Sequence, residues 1–159
     1  MIMLIKSRGA KMTQKQNFLI VTAIVILYSL ICIAAFPQTI DITRIIQIES
    51  SGNPHAVGSA GERGLMQISG IVLQEWNDFH PKQQYSSQDL FNPIVNVLIG
   101  QWYINERIPQ MLKHFDIEDT TANRIIAYNS GIATLVYTKA IPKTTRVYIE
   151  KYKAKETKQ

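Results

Sequence analysis

The chain has 159 residues, a formal net charge of +5 and one cysteine. That length makes a single small domain the expectation, and one thiol excludes an intramolecular disulfide framework. The charge does not indicate nucleic acid. Four of the 17 Lys and Arg (Lys6, Arg8, Lys11 and Lys15) precede an apolar run, which leaves 13 against 12 acidic residues from position 38 onward. A nucleic-acid domain carries its basic excess on the folded face, so no nucleic-acid partner is expected.

Residues 1–17 read as a short basic cytoplasmic stub. Residues 18–36 are an uncharged apolar run closed by Pro37. Its 19 residues match the thickness of a bilayer core, and the preceding cations favour an N-terminus that stays inside. Two readings are open. One is an uncleaved signal anchor in the inner membrane, with the domain facing the periplasm. The other is a signal peptide cut near Ile33, Ala34 and Ala35, which releases a periplasmic or secreted domain. Cys32 makes a poor lipidation site, because Ile31 is bulky and the apolar run continues beyond it.

The segment 37–150 reads as all-α. A first helix covers 41–50, and a loop rich in Gly, Ser, Asn and Pro follows over 51–63. A helical pattern over 66–79 stops at His80 and Pro81. Asn92 and Pro93 open a helix as N-cap and first-turn proline. It runs to about 108, with Pro109 expected to break or kink it. Asp119 or Thr120 caps a helix through Tyr128 that Gly131 ends. A short helix covers 132–139. Thr144 or Thr145 caps a last one through Lys153, and 151–159 forms a polar lysine-rich tail.

Glu49 carries the most information. Ile42, Ile45 and Ile46 lie seven, four and three positions before it, so it shares their face. Burial of a carboxylate on an apolar face raises its pKa, and a carboxyl held protonated serves as a general acid. A solvent-facing carboxylate at a frayed helix end is the alternative, and periodicity leaves both open. Cleavage of a glycosidic bond ordinarily uses a second carboxylate. Glu62, Glu75 and Asp78 are the nearest, and each reads as solvated. Trp76, Trp102 and Tyr103 are candidates to stack on sugars, but their helical spacing reads better as core. His55, His80 and His114 lack metal-ligand spacing, so neither a metal nor another cofactor is expected.

The stretch from Glu49-Ser50-Ser51-Gly52 to Gly64-Leu65-Met66-Gln67-Ile68 closely resembles the active-site motif of lytic transglycosylases of the soluble lytic transglycosylase family, relatives of goose-type lysozyme. Three later blocks follow in the same order. These are Asn92-Pro93 with Asn96, Gly100 and Tyr103; Ala127-Tyr128-Asn129-Ser130-Gly131; and Pro142 through Tyr148. Together they cover about residues 40–150. The resemblance implies a lysozyme-like helical fold whose partner is the glycan strands of peptidoglycan.

The same resemblance implies a single-glutamate reaction. Glu49 protonates the oxygen between N-acetylmuramic acid and N-acetylglucosamine. It then takes a proton from the muramic C6 hydroxyl, which attacks C1 and forms a 1,6-anhydro end. Further implied roles are Ser50 supporting Glu49, Met66 and Gln67 lining the cleft, Tyr128 beside the carboxyl, and Asn129 and Tyr148 at the substrate site. Arg146 reads as structural. The chain departs from the family pattern at Gly58, often serine, at Ser69, often methionine, and at Thr144, often glutamate. It also lacks a second glycine after Gly131. A hydrolytic muramidase and a non-catalytic wall-binding scaffold are the rival readings. Wall turnover, an envelope-spanning secretion or conjugation machine, and phage-type lysis all remain open as biological settings.

Overall fold

The computed structural model describes residues 39–138 and 140–154, with Lys15, Leu19, Thr22, Ala23 and Ile26 upstream. The chain divides into two units, residues 1–37 and 38–159. In the first unit the five described residues are helical. Most of the apolar run 18–36, expected as a signal anchor or signal peptide, lies outside the described residues. Among the described residues no helix is long and apolar enough to cross a membrane.

The second unit is mainly helical, and its β-structure among the described residues is limited to isolated bridges. Helix α1 spans Ile42–Glu49. Its β-branched isoleucines and threonine are middling helix formers, so packing and capping hold it. Asp41 caps it by accepting from Arg44 N–H at 3.2 Å, and Ile45 is fully buried. Asp41 N–H also donates to Tyr152 Oη at 2.9 Å, which ties α1 to the last helix.

The segment after α1 departs from the expected helical pattern over 66–79. Positive φ at Gly64 and Gln67 makes a turn there, and Arg63 pairs with Ile68 in an antiparallel bridge. Helix α2 therefore starts only at Gly70 and runs over Gly70–Phe79, with Ser69 accepting from Val72 N–H at 3.3 Å. This capping role accounts for serine at position 69. Trp76 and Trp102 are buried as expected and meet edge to face at 5.4 Å.

A 3₁₀ turn at Asp89–Phe91 leads into α3, Pro93–Trp102, which is capped by Asn92 as expected. Of the break or kink expected at Pro109, a break does not occur, and the helix is locally widened instead. A π-helical turn, Tyr103–Arg107, joins α3 to α4, Ile108–His114. Ile108 N–H bonds Tyr103 O five residues back. This wider turn absorbs a proline that cannot donate to the preceding turn and would crowd it.

Helix α5 spans Thr121–Ser130, capped by Thr120 and ended by Gly131 at φ 81°. Helix α6 is shorter than expected, Ile132–Tyr137. Helix α7 begins at Lys143 and runs to Ala154, so Thr144 and Thr145 lie within its first turn rather than ahead of it. The core joins Ile45, Met66, Ile99, Ile104, Ile108, Leu112 and Ile125.

Candidate active site

Helices α2 and α5, the 51–69 segment and the end of α1 enclose a cleft of about 560 Å³. A more open hollow of about 670 Å³ lies between Pro109 and Asp119. It lacks a buried acid, whereas the cleft holds Glu49 at the last position of α1.

The pattern Ile42, Ile45, Ile46, Glu49 puts the carboxyl on the buried side, where it is half-buried. Burial raises its pKa above the ordinary 4.5. A hydrogen bond from Tyr148 opposes this, and the charge on Glu62 adds to it. The net direction is upward, so the site favours the protonated acid. Tyr148 is itself buried, and its Oη donates to Glu49 Oε1 at 2.8 Å. It sits behind the acid and is absent from the cleft lining.

The loop ahead of α2 is fixed by Asn96, which is fully buried on α3. Its Nδ2 donates to Arg63 O at 2.7 Å and to Leu90 O at 2.8 Å, and its Oδ1 accepts from Met66 N–H at 2.8 Å. A Cβ at Gly64 would collide with this amide, and the backbone there has φ 77°. Only glycine fits both demands. Ser50 Oγ donates to Leu65 O at 2.8 Å, with Ile46 O at 3.2 Å, and so fastens the end of α1 to the same loop.

The expected site residues separate into three groups. Glu49, Gln67, Tyr128 and Asn129 line the cleft together. Ser50 and Tyr148 hold Glu49 and its helix from behind. Met66 does not line the cleft. Its side chain is fully buried, and a Cβ at Gly100 would strike its sulfur. The turn at Gln67 sends the neighbouring side chains apart, so Met66 packs against the bare backbone of α3. It contributes its carbonyl oxygen instead, which accepts from Tyr128 Oη at 2.7 Å. Burial, then the Glu49 charge, raise the Tyr128 phenol well above its ordinary pKa.

Three further side chains reach the cleft although the sequence reading made them solvated or core. They are Glu62, Glu75 and Tyr103. Glu75 accepts from Arg107 Nε at 2.7 Å. Burial and the Glu75 charge push the Tyr103 phenol up to about 12, against a smaller opposing pull from Arg107. The π-turn places Tyr103 with its ring centroid 6.1 Å from that of Tyr128. Position 75 follows Ile71 by four residues, so the two share the helix face on the cleft. That spacing was the available signal.

The transglycosylase SLT domain family matches residues 38–149. The chain is 37% identical over 121 residues to the membrane-bound lytic murein transglycosylase E of Buchnera aphidicola subsp. Baizongia pistaciae (strain Bp), covering 72% of this chain and 56% of that protein. It is 34% identical over 104 residues to the protein of the same name from Buchnera aphidicola subsp. Acyrthosiphon pisum (strain APS), covering 61% and 45%. It is 31% identical over 100 residues to the endo-type membrane-bound lytic murein transglycosylase A of Cronobacter sakazakii (strain ATCC BAA-894), covering 61% and 49%. The chain thus spans about half the length of these curated relatives.

Proposed function

The chain belongs to the transglycosylase SLT family, and on that premise we propose that it is a peptidoglycan lytic transglycosylase in which Glu49 is both acid and base. The carrying observation is the half-buried Glu49 carboxyl on the cleft wall, raised in pKa by burial and held by Tyr148. In the first step the Glu49 proton passes to the β-1,4 glycosidic oxygen, and the bond from that oxygen to muramic C1 breaks. The Glu49 carboxylate then takes the C6 hydroxyl proton as O6 bonds to C1. The acid is regenerated, no water is consumed, and the product ends in 1,6-anhydro-N-acetylmuramic acid.

Around that step, Tyr148 orients the carboxyl and stabilises its ionised form after the first transfer. Gln67, Tyr128 and Asn129 line the same cleft, which supports a role for them in meeting the sugar. Gln67 is preset, since its Nε2 donates to Gly64 O at 2.9 Å. The lysozyme-like fold implied by the motif blocks is consistent with the helical second unit. The basic start, the apolar run at 18–36 and the membrane-bound names of the relatives support membrane association, with the domain facing the cell wall.

Hydrolysis by the same fold is the second reading, favoured by Glu62 and Glu75 lining the cleft. Mass spectrometry of fragments released from purified sacculi separates the two. Anhydro ends support the transglycosylase, reducing ends support the muramidase, and no release ends both.

A further inference from the structure

Position 58 lies on the loop at one edge of the cleft. Gly58 N–H donates to Glu62 O at 2.8 Å, and Gly61 N–H donates back to Gly58 O at 3.1 Å. This tight turn curls the Glu62 side chain inward, where Oε2 accepts from Ala60 N–H at 3.1 Å. A Cβ at position 58 would collide with that same Oε2 and would stand 2.7 Å from Gln67 Oε1. The bare backbone is thus a slot, and the Glu62 carboxylate occupies it. Gly58, Glu62 and Glu49 all line the one cleft.

We propose that Gly58 and Glu62 are a matched pair, the glycine admitting the Glu62 carboxylate to the cleft, where it acts through space on Glu49 as a positioning residue. This rests on the reading of Glu49 as the acid. The groups that face Glu49 are Tyr148 from α7, Tyr128 from α5 and Glu62 from the loop. Glu75 from α2 and Tyr103 from the π-turn line the same cleft, and among the described residues its lining includes neither lysine nor arginine. A second negative charge in such a cleft opposes ionisation of the first. Glu62 thereby keeps Glu49 protonated, and ready to start the reaction, to higher pH. A side chain at position 58 would turn Glu62 out toward solvent and weaken that influence.

The test uses the full-length protein with Glu62→Gln, Gly58→Ser and the double variant. Two quantities are read: the ¹³C-carboxyl NMR titration of Glu49, and the pH profile of sacculus clearing. In Glu62→Gln the Glu49 midpoint moves to lower pH. Clearing on the alkaline limb falls about two- to threefold more than on the acid side, the size expected of one charge screened by a wet cleft. Gly58→Ser moves the midpoint in the same direction, and the double variant goes no further than Glu62→Gln alone. The serine is tolerated sterically, because the atoms it displaces are the far ends of flexible side chains. An unmoved Glu49 midpoint in Glu62→Gln overturns the proposal, and so do additive shifts in the double variant. The titration reads Glu49 itself, so this failure is distinct from that of the functional reading, which would appear as a parent protein that leaves sacculi intact.

Discussion

Tyr148 donates its phenolic proton to Glu49 Oε1 at 2.8 Å across a separation of 99 residues. The first and last helices of the second unit therefore meet at the acid. The bond favours the charged form of Glu49 while burial disfavours it, and burial is the larger effect. The carboxyl thus keeps its proton to higher pH than a free one, yet has a donor waiting once that proton has left.

Removal of the acid gives the first prediction. Glu49→Gln keeps the shape of the side chain and removes its proton. Clearing of sacculi should fall by about 10²–10⁴-fold, with an unchanged circular dichroism spectrum. The stability effect has a definite sign. Glu49 is raised in the folded state, so it contributes most below its ordinary pKa of 4.5 and loses that contribution as pH rises through the folded value. The neutral glutamine escapes this loss. Denaturant titrations should therefore show Glu49→Gln gaining on the parent as pH increases across that window. A folded variant with parental clearing would remove Glu49 from the reaction.

Tyr148→Phe should move Glu49 the other way from Glu62→Gln. Loss of a donor to the carboxylate raises the Glu49 pKa further, so the alkaline limb of the clearing profile moves to higher pH. The maximal rate falls, because the carboxylate left after proton donation is less well held. Equilibrium unfolding should show a cost of about 1 kcal/mol for the lost hydrogen bond. A limb that moves to lower pH would contradict the assigned direction.

Asn96→Ala tests the scaffold. The amide serves two backbone carbonyls and one backbone N–H. Its removal leaves three groups to find other partners, at a cost of about 3 kcal/mol or more if they stay buried and unpaired. Urea unfolding reads the loss directly. Clearing should fall as well, since the turn that carries Gln67 loses its support. A change below about 0.5 kcal/mol, the range of ordinary surface substitutions, would show that the loop holds itself.

What the sequence disclosed follows the range of each interaction. Asn92 and Thr120 are legible as caps because a cap acts on backbone two or three residues away. Glu49 is legible on the apolar face because helical neighbours lie three and four apart. The cleft positions of Glu62, Glu75 and Tyr103 depend on a glycine slot, on the direction of α2 and on a π-turn, and no local pattern encodes all three. Met66 was misplaced for a similar reason. A positive φ at Gln67 and the missing side chain at Gly100 decide where its sulfur goes. At Pro109 the local rule identified the conflict but not its resolution in a widened turn.

Export can be tested apart from catalysis. The cationic start and the apolar run at 18–36 predict that residues 38–159 lie outside the cytoplasm. Alkaline phosphatase fused after residue 159 should be active. A full-length band in the membrane fraction indicates an anchor, and a shortened soluble band indicates a cleaved signal peptide. An inactive fusion with cytosolic protein would overturn the localisation.

The number of catalytic carboxylates gives the last prediction. Glu62 and Glu75 share the cleft with Glu49, which is the arrangement a two-carboxylate hydrolase would require. Their environments argue against that use. Glu75 is engaged by Arg107 Nε at 2.7 Å, an ion pair that occupies one oxygen. Glu62 is curled into its own turn by Ala60 N–H. Glu49 is raised by burial and served by a buried donor. Glu62→Gln and Glu75→Gln, singly and together, should therefore alter rate and pH dependence while every released fragment still ends in the anhydro sugar. A base that activates water would behave differently. Its loss would abolish turnover in a protein that still folds, and the parent would release reducing ends. Mass spectrometry of fragments from the parent and the double variant distinguishes these outcomes, and reducing ends from the parent would move the muramidase ahead.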